Sequence, residues 1–260
     1  MKRFLLLACI LCMIEYGFAQ KTITSQRLIW YTYVQNLKIN ERFSIQTDIQ
    51  ERHFIAPFKQ SQFLMRSTFK TAIKHNFDFG VGFCFFLSNT DPSIAYDLET
   101  PEVRPYIEFN NKQAFKHVTL SHRYRLESRF FHNINGNELS KGFSFGSMRF
   151  RYQFGLDILL NKPKEEKHAL KLSMSEEVMI NFGNKIKYNT FDQNRITVSL
   201  QYAPIKAVAL EVGYINWFQQ RTSGDKYFNR NILRVGIVHN IVLKKKENSD
   251  SQKNIKDGKN

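Results

Sequence analysis

The chain has 260 residues, a formal net charge of +15 at pH 7 and a mean hydropathy of −0.41. Aromatic residues are abundant, with 24 Phe and 11 Tyr, yet the longest apolar run after the first twenty residues is 81–87. A run of that length excludes a transmembrane helix, which needs about 20 apolar residues. Many aromatic side chains without long apolar runs are typical of the alternating strands of a membrane β-barrel.

Residues 1–19 are predicted to be a cleaved signal peptide. Lys2 and Arg3 provide a positive start, residues 4–14 an apolar stretch, and residues 17–19 a small-x-small cleavage site. The apolar stretch is too short to span a bilayer. The chain is therefore expected to be exported.

The predicted export limits which disulfides and which partners are expected for the chain. Cleavage removes Cys9 and Cys12 and leaves Cys84 as the only cysteine, so no intrachain disulfide is expected. Nucleic acid is not expected as a partner, because the chain is exported and its positive charge is spread along the sequence.

Apolar and polar residues alternate with a period of two through most of the remaining chain. In 43–52, for example, Phe43, Ile45 and Ile49 alternate with polar residues. This pattern indicates strands, because helical side chains repeat every 3.6 residues. We predict eleven strand segments, at 27–37, 43–52, 62–74, 77–88, 102–111, 117–131, 143–160, 168–182, 191–203, 207–220 and 228–243.

The connections between these segments alternate in length. Short turns are predicted at 38–41, 75–76, 112–116, 161–167 and 204–206, and longer polar loops at 53–61, 89–101, 132–142, 183–190 and 221–227. Outer-membrane barrels have short periplasmic turns and longer external loops. The sequence therefore predicts an all-β fold, an antiparallel transmembrane β-barrel of about 10–12 strands over 20–243, followed by a disordered, lysine-rich tail at 244–260. Eleven segments are at odds with the even strand number usual in bacterial barrels.

The type of polar residue predicts which face of the wall lies inside. Most of the fourteen arginines after the signal lie within predicted strands, whereas the lysines mostly lie in turns, loops and the tail. Arginine suits enclosed ion pairs because its planar guanidinium binds carboxylates bidentately. This distribution favours a charged lumen inside an apolar wall. The alternative is a secreted soluble barrel that binds an apolar ligand inside.

The candidate site is a charge network in this lumen. Arg123, Arg125, Glu127 and Arg129 follow one another at period two and so line one face over about 20 Å. Such a row is either an anion-attracting ladder in a pore or a salt-bridge network that fills a narrow barrel, and the expected strand number favours the filled barrel. The predicted members are Arg66, Arg104, Glu108, Arg123, Arg125, Glu127, Arg129, Arg149, Arg151, Glu177, Arg195 and Glu211.

Two groups of residues do not fit this simple division into faces. His122 and Glu176 fall on the lipid-facing side, and a local bulge is predicted to turn them inward. Basic residues of predicted loops are placed to meet phosphate-bearing headgroups, although a solvated surface is favoured. They are Lys141, Lys185, Lys187, Arg221, Lys226 and Arg230.

Motifs for catalysis are sparse. A barrel lipase needs a nucleophile beside its base, and no histidine here has a Ser two residues away, with His117 and Thr119 the nearest arrangement. Zinc and CxxC motifs do not occur. The sequence therefore predicts no catalytic residue, no metal and no cofactor, with a lipid-modifying enzyme as the alternative.

Several short motifs resemble those of a known family. They are Trp30, Glu102-Val-Arg-Pro-Tyr106, His122-Arg-Tyr-Arg-Leu-Glu-Ser-Arg-Phe130, Arg149-Phe-Arg-Tyr152, Glu177 with Asn181, Phe191-Asp-Gln-Asn-Arg195 and Leu210-Glu-Val-Gly-Tyr214. Over roughly 27–243 the chain resembles the uncharacterised barrels catalogued as domain of unknown function twenty-four-ninety. The resemblance implies a barrel in the outer membrane of a Gram-negative cell and no particular activity.

The expected function is that of a non-enzymatic outer-membrane barrel, either a narrow solute channel or a structural barrel with a charged lumen. Its expected partners are outer-membrane lipids and small anionic solutes. The oligomeric state does not follow from the sequence.

Overall fold

A computed structural model describes residues 21–161 and 167–243. Within these ranges no helix is long and apolar enough to cross a bilayer. The predicted signal peptide at 1–19 and the predicted tail at 244–260 lie outside the described residues. The strands are β1 (Thr22–Lys38), β2 (Phe43–Phe54), β3 (Lys59–Ala72), β4 (Phe77–Asn89), β5 (Glu99–Ala114), β6 (Val118–Asn135), β7 (Glu138–Leu159), β8 (Ala169–Phe182), β9 (Phe191–Ile205), β10 (Val208–Gln220) and β11 (Lys226–Val242).

The eleven described strands close into one barrel. Each strand pairs antiparallel with its neighbour in sequence, from β1–β2 to β10–β11. The wall is closed by β1 and β11, which pair in parallel, with Trp30 opposite Arg234. In an up-and-down order with an odd number of strands, the first and last strands run in the same direction. The predicted all-β barrel of ten to twelve strands is confirmed, with one parallel seam in an otherwise antiparallel wall.

Side chains alternate across this wall with the predicted period. In β4, Phe79, Val81 and Phe83 are exposed on the outer face, whereas Cys84 and Phe86 are buried inside. The pleat of a strand sends successive side chains to opposite faces, so one strand carries both an apolar and a polar surface. The outer face of the barrel is consequently apolar and the lumen is largely polar.

The connections differ from the prediction most at two hairpins. The longer loop expected at 53–61 is a turn at 55–58, because β2 continues to Phe54 and β3 begins at Lys59. The loop expected at 132–142 is mostly strand, because β6 continues to Asn135 and β7 begins at Glu138. Gly136 lies in the connecting turn at φ +63°, a left-handed conformation that glycine adopts without a steric penalty. The β6–β7 hairpin is therefore an extended ribbon with a tight turn, and its length does not come from a loop. We name the end of the barrel with this turn the loop end and the opposite end the turn end.

The bulge predicted at His122 and Glu176 is wrong. The β6–β7 register is regular from Val118 to Arg129, and the β8–β9 register is regular around Glu176. Both side chains remain on the outer face, where each has a polar partner. The His122 Nδ1 lies 2.9 Å from the Tyr152 hydroxyl, and Asn194 donates to Glu176 at 2.8 Å. Lateral hydrogen bonds between strands thus satisfy these groups without changing the pleat.

Tyr106 packs directly against Gly82 inside the barrel. A Cβ at Gly82 would lie 2.3 Å from Cζ of Tyr106, and the Tyr106 hydroxyl is already fixed by a 2.6 Å hydrogen bond with Thr68. We expect Gly82→Ala to destabilise the barrel by about 1–3 kcal/mol, because the ring must leave its position. Urea unfolding of the protein refolded in lipid vesicles measures this. In a Tyr106→Ala background the cost of Gly82→Ala should largely disappear, and an equal cost in both backgrounds would exclude this steric cause.

Candidate functional site

Inward-facing charges on β5 to β8 form one connected cluster, which we call the paired charge network. Strand pairing brings its members together, because β5, β6, β7 and β8 are consecutive neighbours with inward residues at period two. Its members are Glu102, Arg104, Glu108, Arg123, Arg125, Glu127, Arg129, Arg149, Arg151 and Glu177, joined by Asp192 of β9.

Glu127 lies at the centre of this network and is only 2% exposed. Its carboxylate is 2.7 Å from Nη1 of Arg151 and 3.7 Å from Nη1 of Arg125. Arg104 and Arg149 approach the other carboxylate oxygen to 4.0 Å each. Four guanidinium groups therefore share one buried carboxylate, and the loss of its charge would leave them facing one another.

Arg151 connects Glu127 to a second carboxylate, that of Glu177. It donates from Nε and Nη2 to the two oxygens of Glu177 at 3.0 and 2.8 Å. Arg123 also donates to Glu177, at 2.6 Å. This bidentate geometry is the strongest that arginine offers to a carboxylate, and it fixes both side chains in the wall.

Two further carboxylates mark the margins of the network. Glu102 accepts from Arg104 at 2.6 Å through both oxygens and from Arg129 at 2.7 Å. Glu108 accepts from Arg125 at 2.5 and 3.0 Å. Together with Glu177, these carboxylates pair with Arg123, Arg125 and Arg129 and so neutralise most of the arginine row of β6.

Three of the predicted site residues lie apart from this network. Arg66 pairs with Asp48 of β2, and Glu211 pairs with Arg234 at 3.2 Å. Arg195 has no carboxylate of the described residues within 4.0 Å and is instead held by Gln193. The other nine predicted residues are brought together: Arg104, Glu108, Arg123, Arg125, Glu127, Arg129, Arg149, Arg151 and Glu177.

Two lumen residues were not found by sequence reasoning. Asp192 forms an ion pair with Arg149 at 2.9 Å, although period two assigns it to the outer face. It is the extra residue of a bulge, because Gln193 pairs with Met179 and Phe191 with Ile180. Arg230 was expected at the loop surface, and this is wrong, because Arg230 is a β11 residue that lines the lumen. Arg230 already lies in the predicted segment 228–243 and shares the inward parity of Arg234, so period two identifies it, whereas no local pattern identifies the bulge.

The lumen contains a cavity of about 690 Å³. Its lining extends from Asn36 and Lys171, near the turn end of their strands, to Gln219 and Phe228, near the loop end. Among the described residues that line it, eleven are basic and five are acidic. The cavity therefore runs along the barrel and has an excess of positive charge. No cluster of three or more potential metal ligands occurs in residues 21–161 and 167–243.

One acidic residue lies at the loop end of this cavity. Asp91, in the β4–β5 connection, accepts a 2.5 Å hydrogen bond from Gln26. Partial burial raises the pKa of Asp91, but hydrogen bonds from Ser93 and Gln26 outweigh it and leave the pKa below its ordinary value. Asp91 is therefore ionised at neutral pH and holds Gln26 in position, and Gln26 in turn accepts a hydrogen bond from the lumen residue Arg230.

Comparison with known proteins assigns the family. Residues 28–228, which extend from β1 into β11, match the family described as "Protein of unknown function (DUF2490)". The chain belongs to this family. The residues that match DUF2490 cover most of the barrel and include nearly all of the lumen residues described above. Among solved structures, one of the "NanC porin" in a rhombohedral crystal form is similar, with 12% identity, a TM-score of 0.49, and coverage of 78% of this chain and 89% of that chain. No curated protein matches the chain.

Proposed function

We propose that this DUF2490 protein is an integral outer-membrane β-barrel whose apolar outer face contacts lipid. The observation that carries the proposal is the division of the side chains: large apolar groups are exposed outside, and charged groups are buried inside. Soluble monomers rarely expose contiguous apolar patches larger than several hundred Å². The exposed apolar side chains come from every part of the wall and include Met65, Phe69, Val81, Phe83, Ile107, Ile196, Leu210, Val212, Leu233 and Val235.

The dimensions of the wall support the same proposal. The described strands contain 12 to 22 residues. A tilted transmembrane strand needs about 9–11 residues, whereas strands of soluble proteins cluster near five or six. Aromatic side chains on the outer face also stack near the turn end, with ring centroids 5.6 Å apart for Phe43 and Phe69 and 4.9 Å apart for Phe77 and Phe109. Aromatic girdles at the lipid–water boundary are a property of membrane barrels.

Within this barrel we propose a narrow passage for small anionic solutes, without enzymatic activity. The excess of basic over acidic side chains along the cavity favours anions over cations, because rings of fixed charge select the opposite sign. A structural barrel with a filled lumen is the second candidate, and the paired charge network of β5–β8 is the observation that favours it. Conduction distinguishes the two candidates.

The polarity of the cavity disfavours the secreted soluble barrel. Pockets for apolar ligands are lined mainly by hydrophobic and aromatic side chains. Here the lining includes sixteen charged side chains, among them the ion pair of Lys171 and Asp157 at 3.2 Å. An apolar molecule inside would separate such groups from polar partners at a high cost in free energy.

Membrane fractionation followed by gel electrophoresis tests the location. We expect the protein in the outer-membrane fraction and, after detergent extraction, a difference in mobility between unheated and heated samples. A barrel stays folded until heated, so the unheated sample should migrate differently. Recovery of the protein from periplasm or medium without detergent would contradict the membrane proposal.

Conductance of the purified protein in planar bilayers tests the passage. We expect small unitary currents and, under a potassium chloride gradient, a reversal potential that indicates preference for chloride. Membrane insertion without conductance would support the filled structural barrel, and preference for potassium would contradict an anion passage.

A further inference from the structure

Three arginines that line the cavity have no carboxylate partner among the described residues. Arg52 of β2, Arg195 of β9 and Arg230 of β11 have no carboxylate of residues 21–161 and 167–243 within 4.0 Å. The nearest acids do not pair directly with them: Asp48 pairs with Arg66, and Glu177 pairs with Arg123 and Arg151. Asp91 is connected to Arg230 only through Gln26, which donates to Asp91 and accepts from Arg230. Within the described part of the chain, none of these three positive charges is therefore held in a direct ion pair.

Glutamine side chains hold all three arginines in place. Arg52 donates to the carbonyl oxygens of Gln50 and Gln62 at 2.6–3.0 Å. Arg195 donates to Gln193 at 2.8 Å. Arg230 donates to Gln26 and Gln219, both at 2.7 Å. An amide oxygen satisfies a donor but has no net charge, so the guanidinium groups are oriented while their charge stays available.

Two tryptophans provide the surface on which these arginines lie. The rings of Trp30 and Trp217 are 5.9 Å apart. The guanidinium of Arg52 is 3.8 Å from the centre of Trp30, and those of Arg195 and Arg230 are each 4.4 Å from the centre of Trp217. The faces of the indole rings stabilise the cations without neutralising them.

Several buried donors in this group have no acceptor in residues 21–161 and 167–243. The indole nitrogens of Trp30 and Trp217 and the Nε of Arg195 are buried without a hydrogen-bond partner. Trp30 and Trp217 are 3% and 4% exposed, and Arg52 is 3% exposed. Buried donors are almost always paired in folded proteins, so a group of unpaired donors beside uncompensated charge indicates a missing acceptor.

We propose that Trp30, Arg52, Arg195, Trp217 and Arg230 form a binding site for a compact oxyanion, the carboxylate or phosphate group of a small solute. The proposal rests on the proposed function, because the site lines the passage and would select the solutes that cross it. The planar guanidinium matches the geometry of both groups, and an oxyanion supplies the acceptors and the negative charge that the wall lacks. Five neighbouring strands contribute, β2, β1, β11, β10 and β9, so the site lies at the parallel seam.

Tryptophan fluorescence reports directly on this site, because the chain has only two tryptophans and both belong to it. We would titrate the detergent-purified full-length protein with sodium phosphate and with sodium acetate at constant ionic strength. We expect a saturable change in emission with at least one of them. Response to phosphate alone or to acetate alone identifies the oxyanion that fits, and the absence of saturation with both contradicts the site.

Substitutions then locate the binding. Arg52→Gln and Arg195→Gln should each weaken binding about tenfold or more, the factor expected for loss of a charge-assisted hydrogen bond. Lys171→Gln is the matched control, since it removes a positive charge from the same cavity but outside the site, and it should change affinity by less than about twofold because distant charges are screened. The heat-dependent mobility of each variant confirms folding. Equal weakening by all three substitutions would contradict the site.

This experiment is independent of the test of the passage. Anion-selective conductance without a saturable fluorescence response would overturn the site and leave the passage standing. Saturable binding without conductance would support the site and contradict the passage.

Discussion

Replacing Glu127 by Gln is expected to destabilise the barrel by about 3–5 kcal/mol, the range observed when one partner of a buried ion pair is removed. Gln has nearly the same shape and still accepts from Arg151, so the substitution isolates the charge. Without it, Arg104, Arg125 and Arg149 lose the buried carboxylate that lies within 4.0 Å of each. Repulsion among buried guanidinium groups then opposes closure of the β5–β8 wall.

Equilibrium unfolding in urea, with the protein refolded in lipid vesicles, measures this effect. Glu41→Gln is the matched control, because it makes the same chemical change at an exposed position in the β1–β2 turn. The ion pair of Glu41 with Lys38, at 2.7 Å, is exposed to solvent, so a change below about 1 kcal/mol is expected. Similar free energies of unfolding for wild type and Glu127→Gln would mean that the paired charge network does not contribute to stability.

Placing arginine at Val198 is expected to cost about 2–4 kcal/mol in a lipid-embedded barrel, the range for arginine at the bilayer midplane. Val198 is the middle residue of β9, is exposed on the outer face, and has Met174 and Tyr214 as cross-strand neighbours. Under the proposed function this position faces hydrocarbon. A guanidinium group there must be hydrated through a distortion of the bilayer or must bend towards its surface.

The matched control is Ile205→Arg, at the turn end of the same strand. Near the lipid–water boundary the cost should fall to about 0–1 kcal/mol, because the charge reaches water. The free energies of unfolding of the two variants in vesicles therefore show how the cost of an arginine depends on its depth in the bilayer. If Val198→Arg were no more costly than Ile205→Arg, the outer face would be in contact with water and the membrane proposal would fail.

Much of the fold and part of the site could be predicted from the sequence. Alternation at period two located all eleven strands and placed Arg104, Arg123, Arg125 and Glu127 on inward faces, because the pleat relates residue position directly to side of the wall. Alternation also placed His122 on the outer face, but the sequence did not show its hydrogen bond to Tyr152 of β7, and a bulge was therefore expected to turn it inward. Arg230 was expected at the loop surface because it lies near the start of the predicted segment 228–243, although its parity with Arg234 places it on the inward face.

The sequence by itself determined the period, the number of strand segments and the chemistry of the two faces, all of which are local properties of consecutive residues. Only the tertiary structure decided which charges meet, because pairing depends on register between strands. The bulge at Asp192 supplies a carboxylate to Arg149, whereas Arg52 and Arg195 receive only glutamine oxygens. The parallel pairing of β1 with β11 joins the two ends of the chain and brings Trp30 beside Trp217, a contact between residues far apart in sequence that no local pattern contains.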